Sequence, residues 1–426
     1  MPSDELIVAG SPAPPGIRRN AVRAAPGGRR VVRGPSGDGW RGRGRMDEAV
    51  FAGGPRPFAV PDPLRAALTA PLVNQSCLGV LRDDLPRTRF ELLVTGSGCP
   101  APPGTTHFDT VAGIAVRRWC APVLDLEPHA PAAVYLARRQ ELGAEEVNRR
   151  LLRAAGLVSV LVDTGRHGPD LLTPPEMGGL GAAAADEVVR LERVEREVAA
   201  AGPAAAGYIA ALAAALAAEA VHAVGLASSA ACRTALPGDP ARPARGAVIA
   251  AAGERLARSG EPLADSVLLR HLMWTAVDVA RERGIPIQLH TGGGEPARLA
   301  GFLRAVRHTG VPFVLLDCYP RHREAARLAA DLPHVYLDVG PGSGCPAAGF
   351  TAALGEVVGL APFHKQLFGS GGHVLAELCH LGVLSYRRGL ARFLAARVAD
   401  GEWSTADAAR VAHLIGSDNA RRVYRL

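Results

Sequence analysis

The chain is poor in the features that mark secreted, zinc-finger and membrane proteins. Its seven cysteines are odd in number and form no CxxC pair, which argues against a disulfide framework or a zinc finger and favours reduced thiols. Near the start only residues 6–9 are apolar, too few for a secretion signal. The uncharged run 201–218 is mostly alanine and is followed by Glu219, so we expect no membrane span. These absences predict a cytoplasmic protein.

Basic charge is concentrated at one end of the chain. The 426 residues have a net charge of +7, and residues 1–45 hold nine arginines against three acids, which leaves only +1 for the rest. This segment is rich in Gly, Pro and Arg, so we predict a disordered tail at 1–45 and a folded domain at 46–426. RGRGRM at 41–46 resembles segments that bind RNA. A solvated tail or a translation start at Met46 is the preferred interpretation, so nucleic acid is not an expected partner.

Apolar segments with strand character alternate with helical segments along the body of the chain. Such alternation is typical of a parallel sheet with crossover helices. Because it predicts eight βα units, a closed (β/α)8 TIM barrel is the expected fold, and an open doubly wound sheet is the alternative. The predicted strands lie within 71–80 and at 158–163, 188–192, 223–227, 286–290, 311–317, 334–339 and 366–369.

A long segment separates the first two predicted strands. Residues 81–157 exceed an ordinary connection, and 132–155 has a helical pattern, so we predict a helical insertion that covers the barrel mouth. Four side chains in it could reach a substrate: those of His107, Arg117, Arg118 and Trp119. Local packing is the preferred interpretation of all four.

The fifth predicted strand, PIQLH at 286–290, ends on a histidine and runs into glycines. In a parallel barrel the chemistry lies at the carboxyl ends of the strands, so a polar side chain there marks an active-site position. His290 is therefore the first candidate site residue. The alternative is a histidine whose hydrogen bonds only complete the end of the strand.

Four sequence motifs carry a resemblance to a known family. They are CYP at 318–320 after strand six, YLDVG at 336–340, FGS at 368–370 in strand eight and IGSDNARRVY at 415–424. With the barrel order, they make residues 63–426 similar to the amidohydrolase superfamily of metal-dependent hydrolases, in its amidohydrolase-related branch. The resemblance implies a divalent metal, typically zinc, held at the strand ends.

Most of the ligands that the resemblance implies are replaced in this sequence. The two histidines of HxH after strand one correspond to Ser76 and Leu78, the lysine after strand four to Ala227, and the aspartate after strand eight to Gly371. His290 matches the histidine after strand five, and Asp317 stands at the histidine position after strand six. A catalytic zinc usually has three protein ligands, so His290 and Asp317 could hold a metal only weakly.

Three functional hypotheses follow. The first is a degenerate amidohydrolase that has lost metal-dependent turnover and keeps a pocket for a small molecule. The second is an active hydrolase or lyase with a rearranged site around His290 and Asp317, to which His373, Glu295 and His322 could contribute. The third is a binding protein whose basic tail contacts nucleic acid. Assembly into a homo-oligomer is compatible with each.

Overall fold

Eight parallel strands in sequence order are the centre of the computed structural model. The structure describes residues 47–51, 60–166, 170–229, 239–292, 294–341, 349–371 and 373–426, without the side chain of Arg166. Each strand pairs with the next one along the chain, as predicted. The strands are β1 Leu72–Leu78, β2 Leu157–Asp163, β3 Ala184–Arg190, β4 Gly225–Ser228, β5 Ile287–His290, β6 Phe313–Leu316, β7 Val335–Asp338 and β8 Gln366–Leu367.

The last strand also bonds to the first. The backbone N–H of Gln75 donates to the carbonyl of Phe368 at 3.1 Å, and Cys77 forms a parallel bridge with Gly371. An open doubly wound sheet has two free edges, so that alternative is wrong. The predicted (β/α)8 barrel is confirmed.

Helices connect and surround the strands. Apolar side chains fill the interior of the barrel, including Val73, Leu161, Val188 and Val314, while a larger core lies between the strands and the helices. In order from Asp62, the α-helices are α1 Asp62–Thr69, α2 Arg87–Thr95, α3 Val111–Ala115, α4 Ala132–Leu142, α5 Ala144–Ala154, α6 Pro174–Gly181, α7 Leu191–Ala200, α8 Tyr208–Glu219, α9 Arg245–Ala257, α10 Ser266–Arg283, α11 Ala300–Ala305, α12 His322–Asp331, α13 Phe350–Leu360, α14 Ala376–Ala399, α15 Thr405–His413 and α16 Asn419–Tyr424.

The predicted helical insertion between β1 and β2 is confirmed and contains α2 to α5. A buried carboxylate fixes it to α14: Glu377 accepts hydrogen bonds from the Tyr135 hydroxyl at 3.1 Å and from Arg139 Nε at 2.9 Å. The predicted single helix over 132–155 is two helices, because Gly143 between them has φ +75°, a left-handed value that an α-helix cannot contain.

Strand β3 and helix α14 differ from the sequence prediction. Strand β3 ends at Arg190, two residues earlier than expected, and Leu191 begins α7, a helix that the strand pattern concealed. Its buried face is formed by Leu191, Val194 and Val198, which recur at helical spacing. Helix α14 was not predicted because most of its residues are buried, so it has no polar face to mark a helical period.

The end of the chain fills the interior of the barrel from the side of the strand starts. The motif at 415–424 forms a π-helical turn followed by α16, whose Tyr424 is buried. The Tyr424 hydroxyl donates to Gln75 Oε1 at 2.7 Å and accepts from Gln288 Nε2 at 2.8 Å. Neutral hydrogen-bonding groups therefore occupy the middle of the barrel, below the strand ends.

Three further expectations concern other parts of the chain. The predicted tail, residues 1–45, lies outside the described residues, so its disorder stays a prediction and its contact with nucleic acid stays the third hypothesis. No helix in the described part of the chain is long and apolar enough to cross a membrane. Among the described residues five cysteines are free thiols, and the four besides Cys99 are buried.

Candidate functional site

Four charged side chains meet at the carboxyl ends of neighbouring strands, and we call them the mouth cluster: Asp163, Arg190, His290 and Asp317. The Arg190 guanidinium pairs with the Asp163 carboxylate, and its Nη2 lies 3.2 Å from His290 Nε2. On the other side of the ring, His290 Nδ1 lies 2.9 Å from Asp317 Oδ2. The cluster is a continuous series of ionisable groups across β2, β3, β5 and the residue after β6.

Asp163 is held in place by the backbone of its own loop. Its Oδ1 accepts a hydrogen bond from Gly165 N at 2.8 Å and one from Arg190 Nε at 3.2 Å. A Cβ on Gly165 would lie 2.6 Å from Arg190 Cβ, so only glycine lets the arginine pack this closely. Burial raises the pKa of the Asp163 carboxyl, but His290 and Arg190 favour its charged form and hold the pKa well below the usual value.

His290 lies between two carboxylates. Its Nε2 is 3.3 Å from Asp163 Oδ2, in addition to the Asp317 contact at Nδ1. Burial lowers the pKa of this imidazole, but the hydrogen bonds to Asp163 and Asp317 outweigh that effect and raise the pKa above its usual value. Above that pKa the neutral ring keeps its proton on Nδ1 and donates it in a hydrogen bond to Asp317. Nε2 then accepts a hydrogen bond from Arg190. Both ring nitrogens are occupied by protein groups in either form.

Asp317 has an unusual backbone. Its φ is +54°, in the left-handed region that residues with a side chain adopt rarely, although aspartate tolerates it better than most. The Thr291 hydroxyl donates to the Asp317 carbonyl at 2.8 Å, and this bond helps to hold the turn. The conformation directs the carboxylate toward His290, and local strain of this kind is characteristic of functional sites.

A third carboxyl group, that of Asp338 at the end of β7, lies behind the mouth cluster. Its Oδ1 accepts from Gly340 N at 2.8 Å. Burial and the neighbouring charge of Asp317 raise the pKa of Asp338 to about 8, so this group is mostly neutral at pH 7. A Cβ on Gly369 would lie 2.8 Å from Asp338 Oδ2 and 2.9 Å from Ser76 Cβ, which shows how tightly β1, β7 and β8 approach there.

The four replaced ligand positions lie at the same end of the barrel. Leu78 is buried and is the register partner of Asp163, and Ala227 is the register partner of Arg190. The charged groups of the site therefore stand one strand away from two of the positions that the resemblance predicts. Ser76 is buried beside Gly369. Gly371 has φ +94°, a conformation in which an aspartate would be strained.

These residues do not fit a divalent metal. Ser76, Leu78, Ala227 and Gly371 supply no ligand of the implied kind, and both His290 nitrogens already have protein partners. The cation beside His290 is the Arg190 guanidinium. Within the described ranges, no group of three or more His, Cys, Asp or Glu side chains is arranged to hold a metal ion.

Of the other candidate residues, His322 and Glu295 have contacts away from the mouth cluster. His322 pairs with Glu356 at 2.6 Å, and Glu295 pairs with Arg298 at 2.6 Å. The structure therefore does not bring these two residues together with His290. His373 is close enough to Asp317 for that charge to raise its pKa slightly, but burial dominates and the net pKa is lowered.

The candidates in the helical insertion make local contacts. His107 Nε2 lies 3.0 Å from the Cys99 carbonyl, and Arg117 donates to the carbonyls of His129 and Ala130 at 3.0 and 2.8 Å. The Arg118 guanidinium lies 4.3 Å from the centre of the Trp119 ring. These contacts agree with the packing interpretation.

Sequence reasoning missed Asp163, Arg190 and Asp338. Asp163 and Asp338 are the last residues of β2 and β7, and Arg190 is the last residue of β3. A charged residue at the end of a buried parallel strand was the available signal, the same signal that singled out His290.

Comparisons with known proteins agree with this architecture. In structure the chain is similar to a protein named as a metal-dependent hydrolase from Lactobacillus casei ATCC 334, with a TM-score of 0.70 and 21% identity over 86% of this chain and 98% of the other. It is also similar to a uronate isomerase from Thermotoga maritima, with a TM-score of 0.57 and 13% identity over 90% of this chain and 97% of the other. At these identities the likeness concerns the fold.

Two comparisons at the level of sequence are more specific. Protein fluG from Emericella nidulans is 30% identical over 179 residues, which are 39% of this chain and 20% of that protein. The chain thus matches about a fifth of the length of this curated relative. The family model described as Amidohydrolase matches residues 162–426. Because this match covers more than half of the sequence and includes β3 to β8, the chain belongs to the amidohydrolase family.

Proposed function

We propose that this chain is an amidohydrolase-family protein that has lost metal-dependent hydrolysis and keeps the barrel as a metal-free scaffold for a small-molecule site. The observation that carries the proposal is that both ring nitrogens of His290 contact protein groups. Nδ1 is 2.9 Å from Asp317 and Nε2 is 3.2 Å from Arg190, so neither nitrogen has a lone pair available to a metal. A histidine in this position cannot act as a ligand unless the cluster is taken apart.

Loss of the metal removes the usual source of the nucleophile. Hydrolysis in such a site depends on a water whose pKa the metal lowers to about 7. The mouth cluster has a net charge near zero, since two carboxylates are balanced by Arg190 and the protonated form of His290. It therefore cannot supply the concentrated positive charge that turns water into hydroxide at neutral pH.

Metal analysis tests the proposal directly. Protein produced in zinc-supplemented medium and then dialysed is expected to contain far less than one metal ion per chain. Hydrolysis of ester, amide and lactone substrates should not depend on added zinc or be inhibited by EDTA. Stoichiometric zinc or manganese that survives dialysis and is absent from His290→Ala would overturn the proposal.

The left-handed backbone of Asp317 supports a second candidate function, a hydrolase or lyase that works without metal. A positioned carboxylate that orients a histidine is a common acid–base arrangement, and Asp317 holds this position at the cost of backbone strain. In this case a substrate displaces Nε2 of His290 from Arg190 and exchanges a proton with it, and Asp317 fixes the orientation of the ring. Turnover of a small-molecule panel in EDTA should then be lost in His290→Ala and reduced in Asp317→Asn. Equal turnover in the wild type and both variants would exclude this candidate.

A further inference from the structure

We propose that the Arg190 guanidinium fills a divalent-cation position bounded by the Asp163 carboxylate and Nε2 of His290, so that removing this side chain opens a metal site in the barrel mouth. The inference rests on the proposed function, because it explains how the mouth can be free of metal and still be balanced in charge. It adds Asp163 of β2 and Arg190 of β3, which no ligand position of the family resemblance includes, to His290, which stands at one of those positions.

The Arg190 guanidinium contacts both groups that could bind a cation. Arg190 Nη2 contacts both Asp163 Oδ2 and His290 Nε2, the second at 3.2 Å. Asp163 and His290 themselves approach within 3.3 Å. A carboxylate oxygen and an imidazole nitrogen that converge on one positive group are donors of the kind that zinc accepts. The guanidinium therefore lies where a cation bound by these two residues would lie.

The His290 ring is oriented as in a metal-binding histidine. A histidine that binds a metal through one nitrogen nearly always donates its other N–H to a carboxylate or a carbonyl. His290 has this arrangement already, since Nδ1 lies 2.9 Å from Asp317 Oδ2 and Nε2 faces Arg190 and Asp163. Asp317 therefore serves as the outer partner that orients the ring, and Nε2 is the nitrogen that would meet the cation.

The pair of Asp163 and Arg190 is buried. The side chains of Asp163 and Arg190 are 4% and 13% exposed. Without the arginine, a buried carboxylate would lack its nearest positive partner, and such a charge is strongly unfavourable. A divalent ion that enters the space would restore the charge balance. Metal binding and recovery of stability should consequently occur together.

The number of ligands sets the expected affinity. Arg190→Ala leaves two protein ligands, fewer than the usual three, so its zinc affinity should be modest. Arg190→His adds an imidazole at the end of β3, beside the strand that carries Asp163. Relative to the wild type, we expect the zinc affinity to rise at least about tenfold in Arg190→Ala and further in Arg190→His.

The experiment measures thermal unfolding and calorimetric zinc titration of the full chain. The two Arg190 variants should unfold at lower temperature than the wild type without metal and recover on addition of zinc, while the wild type should not respond. Arg255→Ala is the matched control, because it removes another buried arginine from a carboxylate, Glu195, whose hydrogen-bond partners among the described residues are Arg255 and the Tyr208 hydroxyl. It should be destabilised and not recover with zinc.

Each outcome decides the inference. Folded Arg190 variants that respond to zinc no more than Arg255→Ala would overturn it. If Arg190→Ala does not fold alone, zinc-dependent folding supports the inference. Arg190→His then provides a folded protein, because at pH 6 its imidazolium can still pair with Asp163; zinc is titrated after the pH is raised to about 7.5, where the ring has released its proton and can bind the metal. Failure of both variants to respond at any pH overturns it. Metal bound by the wild type would overturn the proposed function instead, so the two failures are distinguishable.

Discussion

Two buried arginine–carboxylate pairs in this protein have different surroundings. Arg255 and Glu195 form one pair between helices α9 and α7, with Nε and Nη2 donating to the two carboxylate oxygens at 2.9 and 3.0 Å. The Tyr208 hydroxyl of α8 donates to the same carboxylate at 3.0 Å. The second pair, Arg190 and Asp163, lies at the barrel mouth and continues into His290 and Asp317.

The difference between the pairs separates a structural role from a site. The pair in the helical layer is complete, because Arg255 Nη1 also donates to the Arg258 carbonyl at 2.8 Å and the group joins three helices. The mouth pair continues into His290 and Asp317, so it lies beside an imidazole that can take up and release a proton. Both pairs are buried arginines with acids, so burial alone does not identify the site; the titratable neighbours do.

The largest expected effect is on the pair in the helical layer, Arg255 and Glu195. Glu195→Ala leaves the Arg255 guanidinium buried without its carboxylate, and breaking a buried pair in this way costs about 3–5 kcal/mol. The free energy of unfolding from a denaturant titration measures the loss. Replacing both partners, as in Glu195→Leu with Arg255→Met, should cost less than the single change, and a single-variant loss below about 1 kcal/mol would contradict the assignment of the pair as structural.

At the mouth we expect a smaller loss of stability and a change in titration. Asp163→Asn keeps the shape of the side chain and removes its charge, so Arg190 and His290 lose charge-assisted hydrogen bonds worth about 1.5–3 kcal/mol. The pKa of His290 should also fall, because Asp163 is the first of the two carboxylates that raise it. Proton NMR titration of the His290 ring checks this.

A matched change in the other pair sharpens the comparison. Glu195→Ala should leave the pKa of His290 unchanged, because Glu195 lies in the helical layer and is bonded to Tyr208 and Arg255. If both variants shift the His290 titration equally, the mouth cluster is not the local unit described above. Equal losses of stability with separate titration behaviour would still distinguish the two pairs.

The fold was predictable from the sequence because its signal repeats eight times. Each buried strand is an apolar run followed by a turn and a helix, so small errors such as the end of β3 did not disturb the count. The same error hid part of the site. Since the predicted third strand ran to residue 192, Arg190 counted as an interior position, whereas the structure makes it the last residue of β3.

The composition of the site depends on contacts that the sequence does not contain. His290 was found because a histidine before glycines is conspicuous, and Asp317 because the resemblance assigned a ligand to that position. The choice of Asp163 and Arg190 as their neighbours follows from the barrel register, in which Asp163 stands beside Leu78 and Arg190 beside Ala227. The apolar residues at the replaced positions gave no hint of that shift.

The third prediction concerns the pH dependence of stability. Asp338 has a pKa raised to about 8 by burial and by Asp317, against a usual value of 3.8. Between about pH 4 and 8 the folded state therefore holds one proton more than the unfolded state, and this group makes the free energy of unfolding fall as pH rises, by up to about 1.4 kcal/mol per pH unit. His290 has the same sign, since its raised pKa gives stability that is present at low pH and lost as pH rises through that pKa.

Asp338→Asn isolates the first contribution. The amide keeps an acceptor for Gly340 N and cannot titrate. Between pH 5 and 6 the free energy of unfolding should therefore fall less steeply with pH than in the wild type, by about 1.4 kcal/mol per pH unit, which corresponds to one proton. Denaturant titrations at the two pH values measure the slopes. Identical slopes in the two proteins would mean that Asp338 is ionised in the folded state.

The smallest expected effect tests the backbone strain at Asp317. Asp317→Gly and Asp317→Ala both remove the carboxylate from His290, so their difference reports the cost of φ +54° for a residue with a Cβ. Glycine adopts this conformation freely, and we expect Asp317→Gly to be the more stable of the two by about 1 kcal/mol. The same two changes at Asp278, inside α10, are the control, because there alanine should be more stable than glycine by about 1 kcal/mol. If alanine is also the better residue at 317, the left-handed backbone does not persist in solution, and the carboxylate of Asp317 would have no conformational reason to point toward His290.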